Sequence, residues 1–170
     1  MTYDFRVPAG LLANIHADLS RSHSFAYERV GFIRCHVGKS ESRSVILAES
    51  YHPIDDDDYL ESRSMGAVMG SAAIRKALQR TYQHPASMFH VHRHDHRGVP
   101  SFSYVDLRES ARFIPDFWKV APQRPHGALV LSLDAATGMA WDPDDRNPKA
   151  FNRISSIGRR LVGLGRVRDD

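Results

Sequence analysis

Four of the chain's ten histidines lie within seven residues, in the stretch from His90 to His96. Residues two apart on a β-strand point to the same face, so a strand here would direct the imidazoles of His90 and His92 toward one point. Imidazole nitrogen is a favoured zinc ligand, and a carboxylate oxygen can complete a three-ligand set that leaves one position for water. The spacing therefore indicates a catalytic metal site.

The candidate for that carboxylate is Asp106. It follows a loop over residues 97–102 that contains a glycine and a proline, at which the chain can turn back toward the strand. Ser103 and Asp106 also have the spacing of a helical capping box. Capping alone explains the pair, but it is compatible with metal binding, because a helix start holds both side chains rigidly.

Alternating strand and helix patterns predict an α/β fold that positions these residues. The predicted strands are 3–7, 31–37, 43–51, 87–92, 128–133 and 139–141, with hairpins joining the second to the third and the fifth to the sixth. The predicted helices are 8–20, 64–82 and 106–113, the last ended by Pro115. The acidic run 55–58 is expected to be a solvated loop, and the apolar and basic segment 151–167 is too rich in glycine for a long helix.

The composition is that of one soluble globular domain of 170 residues, with 42% apolar and 25% charged residues. The formal net charge is +3, and the sequence pI is about 9.2. The positive excess is concentrated near the C-terminus, at Arg153, Arg159, Arg160, Arg166 and Arg168. Such a basic end is more often solvated than bound to nucleic acid, so nucleic acid is not an expected partner.

The remaining composition bears on the cellular compartment. A single cysteine, Cys35, excludes an internal disulfide framework and a cysteine-based zinc finger, and it fits a reducing compartment. No apolar run of 18 residues is present, so no membrane span is expected. The first residues do not have the pattern of a signal peptide. A cytoplasmic protein is the simplest expectation.

The order Glu28-x-x-Gly31, His90-x-His92, Ser103-x-x-Asp106 resembles the motif of the JAMM metalloproteases, the JAB/MPN/Mov34 family. The resemblance covers roughly residues 8–145 and is strongest to short prokaryotic JAB-domain proteins. It implies a single-domain αβα sandwich around a mixed, curved sheet, of the JAB/MPN type and similar to cytidine deaminase. Residues 146–170 would then form a basic C-terminal extension.

Carried onto this chain, the resemblance implies that His90, His92 and Asp106 bind Zn²⁺. It implies that Glu28 is the general base and that Ser103 helps to stabilise the oxyanion. Glu49, in the next predicted strand, is a rival for the base. Glu28 is preferred because the family pattern places the base there and because glycine at position 31 permits close backbone approach at the metal end.

The sequence departs from the family pattern after the second histidine. Arg93 follows it, where the family usually has a proline nearby, and ten residues separate it from Ser103, which is a longer loop than usual. His94 and Asp95 lie in this loop and remain alternative ligands to Asp106.

The function implied by the resemblance is a zinc-dependent isopeptidase or peptidase that cuts after the C-terminal tail of a ubiquitin-like protein. This would serve deconjugation or precursor processing, as in bacterial antiphage conjugation operons with E1/E2-like conjugation proteins as partners. The strands near 44–51 are the predicted edge for the extended tail. Two alternatives remain, a metal-dependent nuclease or phosphohydrolase, suggested by the pI and by His94-Asp95, and a non-catalytic MPN-like scaffold.

Overall fold

A computed structural model describes residues 1–22, 27–61, 66–145 and 147–158. The strands are β1 (Thr2–Pro8), β2 (Val30–Lys39), β3 (Arg43–Pro53), β4 (Tyr59–Leu60), β5 (Val68–Met69), β6 (Ser87–Arg93), β7 (His126–Leu131), β8 (Ala136–Trp141), β9 (Pro148–Ala150) and β10 (Arg153–Ile157). The helices are α1 (Ala9–Leu19), α2 (Ser71–Gln83) and α3 (Tyr104–Trp118), and a short 3₁₀ turn spans Asp56–Asp58.

Eight strands form one mixed sheet in the order β10-β1-β3-β2-β6-β7-β8-β9. β1 runs parallel to β10 and β3, and β6 runs parallel to β7. The other neighbours in this sheet are antiparallel. β4 and β5 form a separate two-stranded ribbon. The α/β class predicted from the sequence is confirmed, and β6, which carries the histidines, lies near the middle of the sheet.

Two apolar cores cover the two faces of this sheet. The first is formed by α1 with alternate residues of the central strands, among them Phe89 and Leu129. The second is formed by α2 and α3 with the intervening residues, among them Phe32 and Met88. Because successive strand residues point to opposite faces, the helices lie in layers on either side of the sheet. The even-numbered residues of β6 therefore face α2 and α3.

The predicted helix 64–82 begins too early. α2 starts at Ser71, and Val68 and Met69 belong to strand β5 instead. These two apolar residues fit a helical stripe, but Gly70 adopts an extended backbone at φ −69° and ψ 160° and serves as the N-cap. Residues 64 and 65, the start of the predicted helix, lie outside the described part.

The prediction that Pro115 ends the third helix is wrong. α3 continues through Pro115 to Trp118. A proline within a helix removes one backbone hydrogen bond. The apolar residues on either side, Phe113, Ile114 and Phe117, are all buried, and their packing stabilises the helix across this position.

The sheet extends beyond the range 8–145 in both directions. β1 begins at Thr2 and pairs with β10, which ends at Ile157. β9 and β10 thus lie in the segment expected to be a C-terminal extension, while residues 159–170, with most of its arginines, fall outside the described residues. No helix in the described part of the chain has the length and apolar character needed to cross a membrane.

Candidate metal centre

Strand β6 places a row of imidazoles on the α3 side of the sheet. The ring centroids of His90 and His92 are 5.8 Å apart. His94 continues the alternation one step past the end of the strand, with its ring centroid 5.0 Å from that of His92. Its backbone N–H donates to the carbonyl of Leu131 at 2.8 Å, which extends the β6–β7 ladder. The strand prediction for the histidine pair is confirmed, and the row is longer than predicted.

Asp106 reaches this row from the first turn of α3. Ser103 is the N-cap of the helix, and its Oγ accepts a hydrogen bond from the Asp106 N–H at 3.1 Å. The Asp106 Oδ2 accepts in return from the Ser103 N–H at 2.7 Å. The same Oδ2 lies 3.6 Å from Nε2 of His92. The capping box and the approach to the histidine therefore coexist, as the spacing predicted.

Glu28 enters the site from the segment before β2. Its N–H donates to the carbonyl of Gly66 at 2.9 Å. The next residue, Arg29, is buried and binds the carboxylate of Asp56 at 2.7 Å and the carbonyl of Arg21 at 2.8 Å. These contacts tie the backbone of Glu28 and the side chain of Arg29 to distant parts of the chain and so limit where the Glu28 carboxylate can lie.

Glycine at position 66 makes room for the carboxylate. A Cβ built on Gly66 would lie 2.5 Å from Oε2 of Glu28, which is closer than side-chain atoms pack. Sequence reasoning missed this residue. The ribbon that carries it has two-residue strands, too short for any periodic signal.

His92 lies at the centre of the group. Its Nε2 is 3.3 Å from Nε2 of His94 and 3.6 Å from Oδ2 of Asp106. Two donors bound to one tetrahedral zinc at about 2.0–2.1 Å are separated by about 3.3 Å. Both distances are close to this value. Among the described residues, ligand atoms of Glu28, His92 and His94 also lie within 4.8 Å of one another. This end of the sheet therefore brings donors together at the separation that one ion requires.

His90 is not part of that close group. Its ring packs edge-on against Phe32, at a centroid distance of 5.7 Å, and against Phe113, at 5.4 Å. Its Nε2 is buried and has no hydrogen-bond partner among the described residues, and the same holds for Nδ1 of His92. Buried polar atoms are rarely left unpaired, and an ion or water is one usual explanation. The structure thus places His90 beside His92 but outside the group whose ligand atoms lie within 4.8 Å of one another.

The environment holds these imidazoles neutral. Burial lowers the pKa of His90 to about 3, with the neighbouring His92 adding to the effect. Burial also lowers the pKa of His92 to about 4, although the nearby carboxylate of Asp106 opposes this shift. Neutral imidazole is the form that binds metals. For Glu28, burial raises the pKa of the carboxyl, the charge of His94 opposes the shift and that of Asp106 adds to it.

The competing candidates lie elsewhere or make other contacts. Glu49 is exposed and forms ion pairs with Arg34 and His36 on the surface. Asp95 is exposed beside Arg93, with 3.4 Å between their charged groups. Of the alternatives to Asp106, only His94 lies in the group. The choice of Glu28 over Glu49 therefore agrees with the positions of the two side chains.

The expectation that Gly31 permits a close backbone approach at the metal end is wrong. Gly31 does permit a close approach, but the group that approaches is the ring of Tyr51, which lies within 2.4–2.6 Å of where a Cβ would be. Tyr51 packs against the core on the α1 side of the sheet and donates to Asp18 at 2.6 Å. Gly31 thus serves the face of the sheet opposite to the histidines.

Comparisons with known proteins do not assign the chain to a family. No known protein family matches the sequence, and no curated protein matches it.

Proposed function

We propose that the protein is a zinc-dependent peptidase of the JAMM type, with the JAB/MPN form of the α/β fold. The observation that carries this proposal is the meeting of Glu28, His92 and Asp106, which come from three distant parts of the chain. The layered arrangement of helices around a mixed sheet supports the same reading. The order of these residues along the chain is that of the JAMM motif.

The donor set and the buried nitrogens fit zinc. His92 and Asp106 would hold the ion, with His90 as the further ligand that the motif implies. The buried Nε2 of His90 has no partner among the described residues, as expected where an ion or water belongs. When bound, zinc polarises a carbonyl and lowers the pKa of a coordinated water from 15.7 to about 7.

Glu28 supplies the proton transfer. A carboxylate whose pKa is raised by burial binds a proton more readily near neutral pH. It takes a proton from the attacking water as the water oxygen bonds to the scissile carbonyl carbon. It then gives that proton to the leaving amine nitrogen as the carbon–nitrogen bond breaks. The same group therefore acts first as base and then as acid.

Ser103 is placed to stabilise the developing oxyanion. Its Oγ already accepts a hydrogen bond from the Asp106 N–H, which leaves its own O–H able to donate. Fixing the hydroxyl through the capping box orients that donor before the substrate arrives. A preorganised donor of this kind contributes roughly 10²–10³ to the rate.

The substrate class that fits is the C-terminal tail of a ubiquitin-like protein, on a precursor or a conjugate. The edge predicted for this tail near residues 44–51 is wrong in part, because β3 lies inside the sheet between β1 and β2. Gly66 lies two residues before β5, and its carbonyl accepts from the Glu28 N–H, so the β4–β5 ribbon adjoins Glu28. We therefore place the extended tail along this ribbon, by β-augmentation. E1/E2-like conjugation proteins and a cytoplasmic setting follow from the same proposal.

The experiment measures cleavage of a ubiquitin-like protein fused through its C-terminal tail, with and without a zinc chelator. Glu28→Gln should reduce the rate by about 10²–10⁴-fold, the usual contribution of a general base, while zinc content stays at the wild-type level. Glu49→Gln is the matched control and should retain the wild-type rate, because Glu49 pairs only with surface residues. Activity that survives both chelation and Glu28→Gln would disprove the proposal.

A non-catalytic MPN-like scaffold is the alternative that shares this architecture. The close approach of Glu28 to the histidines favours the enzyme, because a scaffold has no use for a half-buried acid beside buried imidazoles. Zinc content separates the two. A purified protein that takes up no zinc would favour the scaffold.

A further inference from the structure

His94 lies beyond the residues of the JAMM motif but inside the group that they form. Its Nε2 is 3.3 Å from Nε2 of His92, and its ligand atom lies within 4.8 Å of that of Glu28. The loop that carries it, residues 94–102, is the part of the chain that departs from the family pattern. An imidazole this close to the candidate metal site is expected to have a function there.

The backbone of this loop is held in place by the β7–β8 hairpin. The N–H of His94 donates to Leu131, and the carbonyl of His96 accepts from the N–H of Leu133 at 2.9 Å. Farther along, the N–H of Gly98 donates to Asp134 at 2.7 Å. The Thr137 hydroxyl donates to the carbonyl of Pro100 at 2.7 Å. The loop therefore presents its first histidine to the site from an anchored backbone.

The other histidine of the loop makes a useful contrast. His96 is exposed, its ring centroid is 5.8 Å from that of His94, and its Nδ1 lies 2.9 Å from the carbonyl of Arg97. His94 is half-buried and faces another imidazole nitrogen. Two neutral imidazoles can share one hydrogen bond at this distance, but the distance is also that between two ligands of one zinc ion.

We propose that His94 is a direct ligand of the metal and fills, in the resting protein, the coordination position that the attacking water needs. This inference rests on the proposed function and adds its regulation. With His92, Asp106 and the His90 that the motif implies, His94 would fill all four positions of a tetrahedral site with protein side chains. Rotation of the His94 side chain opens it for water and substrate while the backbone keeps its bonds to the hairpin.

The test compares wild type, His94→Ala and the matched control His96→Ala. Zinc affinity is measured by competition with a chromogenic chelator. Loss of a direct ligand should weaken zinc binding by more than about 100-fold, beyond the 10–100-fold typical of residues that only support a ligand. His96→Ala should remain within about twofold of wild type. His94→Gln, which preserves bulk and polarity, should behave like His94→Ala and separates ligand loss from misfolding.

A second readout uses cobalt in place of zinc and the small anion azide. Cobalt absorption reports the ligand set directly. Azide should leave the spectra of wild type and His96→Ala unchanged and should alter that of His94→Ala, in which a coordination position is open. The readout does not depend on turnover.

The outcomes separate this inference from the peptidase proposal. Equal zinc affinity and equal azide response in wild type and His94→Ala would overturn the ligand role of His94, while zinc loss in His92→Ala would still support the peptidase. A wild-type cobalt spectrum that shifts with azide would overturn the closed resting state. Absence of metal binding in the wild type would overturn both.

Discussion

Buried histidines lie at two ends of the same sheet face, and the groups that surround their ring nitrogens differ. At one end His126 is fully buried, its Nδ1 accepts from the N–H of Met88 at 3.0 Å, and its Nε2 lies 3.3 Å from the carbonyl of Ala121. Its ring also stacks on Phe117, at a centroid distance of 5.3 Å. At the other end His92 is equally buried but has an Nδ1 without a partner among the described residues.

The difference separates a structural histidine from a candidate ligand. Burial lowers the pKa of both imidazoles to about 4, so a depressed pKa does not distinguish them. The surroundings of the ring nitrogens do, because both nitrogens of His126 face backbone groups, whereas Nε2 of His92 faces Nε2 of His94 and Oδ2 of Asp106, which are donors that can share an ion. The first should matter to stability alone, and the second to metal binding.

Replacing His126 should have the largest effect on stability. His126→Ala leaves a cavity and removes the partners of the Met88 N–H and the Ala121 carbonyl, so the free energy of unfolding should fall by about 3–5 kcal/mol. Chemical denaturation of the metal-free protein at pH 7.5 measures this. Zinc affinity should not change in the folded variant. A loss below about 1 kcal/mol would show that the two bonds are not a structural anchor.

Zinc should stabilise the protein by binding at the His92 end of this sheet face. At a free zinc concentration 100 times the dissociation constant, the free energy of unfolding should rise by about 2.7 kcal/mol, because the ion binds only the folded form. Thermal or chemical unfolding with and without zinc measures the gain. The gain should vanish in His92→Ala and persist in His96→Ala. An equal gain in all three proteins would place the ion elsewhere.

The pH dependence of stability should carry the signature of His126. Its folded pKa, about 4, lies below the value of about 6.5 for an unfolded histidine, with burial as the main cause and the charge of Arg124 adding to it. The unfolded chain therefore binds more protons between these values. Stability from this group is present above pH 6.5 and is lost as pH falls toward 4, at about 1.4 kcal/mol per pH unit.

The variant His126→Gln isolates this contribution, since glutamine does not titrate. Free energies of unfolding of the metal-free proteins, measured from pH 7 to pH 4.5, should show a steeper pH slope for wild type than for the variant. Parallel slopes would show that folding does not lower the pKa of His126.

The smallest change in stability is expected at the capping box. Ser103→Ala should lower the free energy of unfolding by about 1 kcal/mol, the usual value of an N-cap, and should lower the peptidase rate roughly 10²–10³-fold if the hydroxyl donates to the oxyanion. Ser103→Thr keeps both the cap and the hydroxyl and is the matched control. A rate unchanged in Ser103→Ala would limit this serine to capping.

Local patterns were enough to predict much of the candidate site. Alternation around His90 and His92 predicted a strand, and the Ser103 and Asp106 spacing predicted a capped helix start, because both signals depend on near neighbours in sequence. The approach of Glu28 to the histidines was an expectation from the motif, and the structure brings these residues together. The sequence predicted His90 as a ligand beside His92, but the structure places His90 outside the group of close donors.

The features that escaped prediction depend on contacts between distant segments. His94 extends the row because its N–H meets Leu131, a partner on another strand. Gly66 lies by a ribbon too short to show a pattern. β10 has only two apolar residues among five, so its composition does not predict a strand. It forms one by pairing with β1. These features are determined by tertiary packing rather than by local propensity.

The parallel pairing of β1 with β10 has a consequence for synthesis. β1 leaves the ribosome well before β10 (Arg153–Ile157), the strand that covers its outer side from Asp4 onward. Until those residues emerge, the nascent chain exposes an unpaired strand edge, the kind of edge on which other chains can add. The donors of the metal group, at residues 28–106, are all translated earlier. A ribosome-bound chain thus contains its candidate metal ligands before the edge of its sheet is protected from aggregation.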